Sequence, residues 1–267
     1  YILTCAHVVE GADDISVQVG DTDYAAQIIG ADSDSDIAVI KIDAEGLTPA
    51  VVGDSNALVI GEEVMAVGNP LGTLSGTVTN GIVSALNRNI AVQNNDGSVN
   101  RLSVIQTNAS ISPGNSGGGL FNMAGELIGI VNAKSQASGA EGLGFAIPIN
   151  NAIAIAQDLL ENGYVSGRPY LGITYITVAD EATAQQLGVS AYGIYIVEVS
   201  AGSGAAQAGL EPGDRIVSID GQEIAARDDV SAIIDGHATG DVISITVARD
   251  GQMLTVSATL GEQTPNN

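Results

Sequence analysis

The chain has 267 residues, enough for two hydrophobic cores, and 45% of them are hydrophobic, as in a packed globular protein. Eight basic residues against 31 acidic ones give a formal charge of −23, a field that repels phosphate backbones and anionic lipid surfaces, so nucleic acid is not an expected partner. No stretch reaches the roughly 18–20 consecutive apolar residues of a membrane span, and Cys5, the single cysteine, allows no internal disulfide.

The chain opens inside a strand-like segment, Tyr1-Ile2-Leu3-Thr4, so any export signal is expected upstream. From Tyr1 to about Pro148, short β-branched runs such as Ile15 to Val19, Ile37 to Ile42 and Val64 to Val67 alternate with Gly, Asn, Asp and Ser. This spacing predicts an all-β barrel or sandwich. The stretch Asn87 to Asn100, rich in Asn, Asp and Gly, reads as a long, weakly specified polar loop. Ile153, Ala156, Leu159 and Leu160 recur at helical spacing. They predict one helix over Asn150 to Asn162, capped by Asn150 or Asn151 and ended by Gly163.

Gly167-Arg168-Pro169 reads as a connector, because proline forces its predecessor out of helical geometry. A compact mixed α/β unit follows. Its predicted strands are Leu171 to Ile176, Ile194 to Val199, Ile216 to Ile219, Val242 to Ala248 and Leu254 to Leu260, with helices at Ala205 to Ala208 and Val230 to Ile234. The expected division is therefore 1–166, 167–262 and a frayed tail at 263–267. The acidic residues lie scattered through loops and read as a solvated surface, with adaptation to high salt as the sharper alternative.

Pro113-Gly114-Asn115-Ser116-Gly117-Gly118 is the strongest chemical signal. A serine hydroxyl needs a base to take its proton, and the oxyanion formed on attack needs N–H donors aimed at it. Gly114 can take the backbone angles that turn its own N–H and that of Ser116 toward one point. His7 ends an apolar strand, and Asp36 immediately precedes a six-residue run that must be buried, which carries its carboxylate inward, where it needs a partner. The order His7, Asp36, Ser116 is the chymotrypsin order, unlike that of subtilisin or the α/β-hydrolases.

At these residues the chain resembles the HtrA/Deg group of trypsin-fold serine proteases, through Thr4-Cys5-Ala6-His7-Val8-Val9, Asp36-Ile37-Ala38-Val39 and Gly114-Asn115-Ser116-Gly117-Gly118. Gly68-Asn69-Pro70-Leu71-Gly72, Thr79 to Leu86 and Gly142 to Pro148 extend the match over nearly the whole first domain. The resemblance implies a mainly β fold: a chymotrypsin-like double β-barrel, here without the strands that precede the histidine, followed by a PDZ domain. It implies His7 as general base, Asp36 as its orienting carboxylate, Ser116 as nucleophile, and the N–H groups of Gly114 and Ser116 as oxyanion hole. Cys5, Asn108 and Gly119 stand where the family commonly has asparagine, aspartate and proline.

By the same resemblance Ser110 and Ile111 shape a pocket for a small or medium apolar side chain, and Asn132, Ala133 and Lys134 pair with the substrate backbone as an added strand. Tyr170-Leu171-Gly172-Ile173 and Ala208 to Ile216 mark the PDZ module. There Tyr170, Leu171 and Gly172 would receive a C-terminal carboxylate, the ligand strand would lie along Ile173, and Val230 and Ile234 would line the groove. The implied activity is ATP-independent serine endopeptidase action on unfolded or misfolded polypeptides, with no metal or organic cofactor. The rival reading is a peptide-binding scaffold or chaperone with an unproductive triad. The family also implies a homotrimer in a periplasmic or extracellular setting, tethered through a segment upstream.

Overall fold

The structure is a computed structural model that describes residues 1–72, 74–93, 99–133 and 142–265. It divides into two compact units, Tyr1–Val165 and Ser166–Asn267.

In the first unit β1 (Ile2–Thr4) leads into a single helical turn, α1 (Ala6–Val9). The strands β2 (Ser16–Val19), β3 (Thr22–Asp32) and β4 (Ile37–Ile42) follow, and together they form an antiparallel sheet in the order β1-β4-β3-β2. β4 is a continuous apolar run apart from Lys41, and all its other residues are buried. That is the pattern of a strand covered on both faces.

A second sheet is built from β5 (Val51–Val52), β6 (Glu63–Gly68), β7 (Thr77–Gln93), β8 (Val99–Thr107), β9 (Gly119–Asn122), β10 (Glu126–Val131) and β11 (Gly144–Pro148). The path runs β11-β8-β7-β6-β9-β10, and β10 pairs back onto β11, so six antiparallel strands close a barrel while β5 adds to β10 in parallel. Val64, Val83, Ile105, Leu120, Ile128, Val131 and Ala146 fill its interior. Closure leaves none of the six with a free edge.

Most of the expected loop at Asn87 to Asn100 is instead strand: β7 runs on to Gln93 and β8 begins at Val99. The physical reason is alternation, since Ile90, Val92, Leu102 and Val104 pack with Phe145 in a cluster of their own. Polar composition on the outward face concealed it.

Helix α2 (Ile149–Asn162) begins one residue earlier than predicted, with Pro148 in the capping position. Asn150 instead ties the helix to the segment before β6, as its Oδ1 accepts from Ser55 N (3.2 Å) and its Nδ2 donates to Asp54 Oδ1 (2.7 Å). That second bond, with one from Asn56 N, holds the Asp54 carboxyl below its ordinary range. Gly163 ends the helix at φ 81°, as its sequence position predicts. Ile149, Ala152, Ala156 and Leu159 form one face and join Ile37, Val39, Ile130 and Ile147, so α2 packs over core that includes residues of both sheets.

The second unit holds β12 (Pro169–Tyr170), β13 (Ile173–Val178), α3 (Glu181–Leu187), β14 (Gly193–Val199), α4 (Gly204–Gln207), β15 (Arg215–Ile219), β16 (Gln222–Glu223), α5 (Arg227–Ile234), β17 (Val242–Arg249), β18 (Gln252–Thr259) and β19 (Gly261–Glu262). The main sheet runs β13-β14-β15-β17-β18; β16 pairs with β15, and β12 pairs with β19. In β17 the residues Ile243, Ile245 and Val247 point into the core while Val242 and Ser244 are exposed. α3 escaped the sequence reading because Ala184 is its one buried residue, so it has no apolar stripe. A local signal was available, for Asp180 caps it by accepting from Thr183 N at 2.8 Å.

Arg249 stitches this unit together: its Nε and Nη2 bind the two oxygens of Asp214 at 2.6 and 2.7 Å, and Nη2 also reaches Gly209 O at 2.7 Å. The Asp214 bond holds the guanidinium above its ordinary pKa, while Asp214 itself is fully buried. Removing one member of a buried, bidentate pair leaves the other short of partners, here, among the described residues, with only Glu211 Oε1 (3.1 Å) and Gly209 O. Asp214→Ala should therefore cost this unit about 3 kcal/mol, the low end for such pairs because Arg249 keeps some solvent. Its calorimetric transition should fall by roughly 10–20 °C; a shift under about 2 °C would show that the pair contributes little.

Candidate active site

His7 sits in α1, directly after the strand that pairs with β4. Asp36 lies at the turn into β4, in the left-handed region at φ 55°, a conformation aspartate tolerates better than most residues. Its carboxylate is buried and accepts three hydrogen bonds. His7 N donates to Oδ1 (2.9 Å), while His7 Nδ1 (2.7 Å) and Asn132 Nδ2 (2.7 Å) meet Oδ2. With a carboxylate on Nδ1, the neutral ring carries its proton there and leaves Nε2 free to accept one.

Ser116 follows the turn at Gly114, whose φ is 96°. Its loop is held against the histidine segment: a Cβ on Gly117 (φ 81°) would collide with Thr4 Oγ1, so glycine is required there. Gly117 N donates to Val131 O (2.9 Å) and Gly118 N to Asn115 O (3.0 Å). Among the described residues the N–H groups of Gly114 and Ser116 have no acceptor. Ser116 Oγ accepts from Ala133 N at 3.1 Å and makes no hydrogen bond with His7. Asp36 and Ser116 are thus both held by consecutive residues, Asn132 and Ala133.

Asn132 was expected to pair with a substrate backbone. It is fully buried, its N–H donates to Phe145 O (2.9 Å), and its amide holds Asp36. The sequence signal for that role was a polar residue ending the buried run Ile128 to Val131, since a buried amide must find a partner. Lys134 lies outside the described residues. Ser110 is exposed, and its carbonyl accepts from Thr79 Oγ1 (2.8 Å); Ile111 is buried against Gly144.

The three departures from the family pattern have distinct surroundings. Asn108 Oδ1 accepts from Ile82 N (2.7 Å). A Cβ on Gly119 would collide with the ring of Phe121, which occupies the space a proline would need. Cys5 is fully buried, and its thiol faces Val131 O at 3.3 Å.

In the second unit β13 pairs with β14 and is the edge of its sheet. Just before it, Tyr170 OH meets Ser200 Oγ (2.8 Å), Leu171 is buried with its carbonyl on Ala205 N (3.0 Å), and Gly172 takes φ 85°. Ile173 pairs with Val199 at the start of the strand. Val230, expected to line a groove, is fully buried in the core, and Ile234 retains slight exposure. Tyr175 of β13 reaches α5 by its OH to Ser231 Oγ (2.7 Å), with the Arg227 guanidinium 5.4 Å from its ring centre. Ser231 and Arg227 of α5 thus meet the edge strand at Tyr175, while Ile173 and Tyr175 also pack against the cluster that holds Val230 and Ile234. His237, outside the first unit, has Nδ1 on Ile233 O (2.8 Å) and Nε2 on Asp220 Oδ2 (3.1 Å).

Comparison with known proteins agrees with this architecture. Residues 1–130 match the trypsin-like peptidase domain and residues 169–260 the PDZ domain. A trypsin-like peptidase domain followed by a PDZ domain is the class that the fold and site define. The chain is 42% identical to the serine protease Do-like HtrB of Bacillus subtilis, covering 100% of this chain and 60% of that protein. It is 35% identical to the serine protease Do-like HtrA of Lactococcus lactis subsp. cremoris, covering 99% of this chain and 68% of the relative. Among solved structures, the HtrA-type protease AlgW with decapeptide is 39% identical with a TM-score of 0.65, over 98% of this chain and 79% of that one. The chain belongs to the HtrA family of serine proteases. It spans about 60% of the length of curated relatives such as the two Do-like proteases of Bacillus subtilis.

Proposed function

We propose that this chain carries the catalytic and regulatory parts of a serine endopeptidase that needs no ATP and cleaves unfolded or misfolded polypeptides after small or medium apolar residues. The observation that carries the proposal is the buried Asp36 carboxylate, bound at once by His7 Nδ1 and Asn132, beside a serine loop whose Gly114 and Ser116 amides are free of acceptors among the described residues. In this reading Ser116 attacks the scissile carbonyl as its proton passes to His7 Nε2. The oxyanion is received by the two amides, and His7 returns the proton to the leaving amine. Nucleophile, base and acid come from the chain itself, so the step requires no cofactor and no nucleotide.

Ser110 is uncharged where a protease for basic side chains would place a carboxylate, and buried Ile111 adds apolar wall; both support small or medium apolar specificity. The edge strand β13, entered through the turn at Gly172, supports capture of a C-terminal peptide as an added strand. The AlgW structure is described with a bound decapeptide. Two relatives are described as probable periplasmic endoproteases, and a periplasmic or extracellular setting belongs to the same proposal, as does the homotrimer. Among the described residues no helix is long and apolar enough to cross a membrane.

One observation favours a second reading, a peptide-binding scaffold or chaperone: Ser116 Oγ rests on Ala133 N–H instead of His7. A ligand that binds the productive arrangement better than this one would shift the population toward it. An apolar peptide with a free C-terminus should therefore raise the hydrolysis rate of a short chromogenic substrate. Amidation should weaken that effect, and removal of 167–267 should abolish it. Equal rates in all these conditions would leave the PDZ unit no regulatory role.

A further inference from the structure

We propose that Cys5, His7 and Asp36 form an inhibitory site for a thiophilic divalent cation of the zinc and cadmium kind. One ligand atom from each residue, the Cys5 thiol, an imidazole nitrogen and a carboxylate oxygen, lies within 4.8 Å of the other two. Donors on a tetrahedral zinc ion, with bonds of about 2.0 Å to nitrogen or oxygen and 2.3 Å to sulfur, stand roughly 3.3–3.6 Å apart. The ion therefore draws the thiol inward and opens the His7–Asp36 contact, now 2.7 Å, by about half an ångström. Thiolate with imidazole and carboxylate selects zinc or cadmium over magnesium or calcium. Cys5 and Asp36 are buried, and the His7 side chain, 18% exposed, is the member of the cluster that meets solvent. The Val131 carbonyl, 3.3 Å from the thiol, or a water completes the coordination. The Asn132 amide on Asp36 Oδ2 acts as the outer support that such ligands require.

Binding has a defined proton balance. The Cys5 thiol releases its proton to solvent, and the imidazole proton moves from Nδ1 to Nε2 as the metal takes the Nδ1 lone pair. Two anionic ligands then neutralise the dication. The shifted tautomer has no lone pair left at Nε2, so His7 loses the capacity to accept the proton of Ser116. This inhibitory consequence rests on the proposed role of His7 as general base; the site itself does not.

The test uses the full chain carrying Ser116→Ala, titrated with cadmium in a magnesium background that occupies the acidic surface. Cys5 is the only thiol, so a thiolate-to-cadmium charge-transfer band reports this position alone. The expected result is one cadmium per chain with that band. Affinity should fall at least tenfold in His7→Gln and in Asp36→Ala, and the band should vanish in Cys5→Ser. No band, or unchanged affinity in both ligand variants, would overturn the site. Zinc should inhibit peptide hydrolysis by the parent chain reversibly, relieved by a chelator, and Cys5→Ser should need at least tenfold more zinc relative to its own metal-free rate. Tight, ligand-dependent cadmium binding in an active chain that zinc does not inhibit would retain the site and overturn its inhibitory role. A chain with no hydrolytic activity would count against the proposed function, and the cadmium results would still decide the site.

Discussion

Ser116→Ala should remove peptide hydrolysis by a factor on the order of 10⁵–10⁶ in kcat, leaving only what binding and the oxyanion hole support. Loss of the Oγ atom removes the one group able to form the acyl intermediate. His7, Asp36 and Asn132 keep their hydrogen bonds, because none of them bonds to that atom. Ala133 is buried but Ser116 beside it is partly exposed, so water can replace Oγ as acceptor for the Ala133 N–H, and the melting temperature should change by only about a degree or two. Casein hydrolysis near the parent rate would remove Ser116 from the mechanism.

Asp36→Asn should cost about 10⁴-fold in kcat, the magnitude the same change produces in trypsin, used here as a yardstick. An amide at this position can donate where the carboxylate only accepted. Its NH₂ group takes the place either of Oδ2, which meets both His7 Nδ1 and Asn132 Nδ2, or of Oδ1, which accepts from His7 N. In the Oδ2 place it donates to Nδ1 and favours the tautomer with the proton on Nε2, which cannot accept a proton from Ser116, while opposing the Asn132 donor. In the Oδ1 place it sets two donors, its own and the His7 N–H, against each other inside a buried site. Unlike the serine variant, this one should recover part of its rate at high pH, where hydroxide replaces the base. An effect below tenfold would contradict the assignment of Asp36.

The mainly β class was legible because β4 and the barrel strands are short β-branched runs with turn residues between them. The chain order His7, Asp36, Ser116 was legible because His7 ends and Asp36 precedes such a run, while Ser116 sits in the glycine-rich turn Pro113 to Gly118. What the sequence hid was a matter of neighbours brought together from afar. Asn132 is 96 positions from Asp36, and only the closed barrel, pairing β10 with β11, places its amide on that carboxylate. The β7–β8 extension was hidden for another reason. Its outward residues are polar, and its inward ones pack on Phe145, some 40 to 55 residues downstream in the chain. Val230 shows the limit of a family resemblance: it implied a residue lining the groove, whereas the side chain is buried in the core of its unit.

The central claim is that Ser116 becomes a productive nucleophile even though its Oγ rests on Ala133 N–H, 3.1 Å away. Reaction with a fluorophosphonate tests it directly, since the reagent phosphonylates only a serine whose proton is taken by a base and whose developing charge is stabilised. Peptide-mass mapping after exposure to the reagent, with and without an apolar C-terminal peptide, should find one adduct per chain, on Ser116. The adduct should form faster with the peptide present and be lost in the Asp36→Asn chain over the same interval. An intact chain that stays unlabelled at Ser116 under every peptide condition would contradict the account and favour the scaffold.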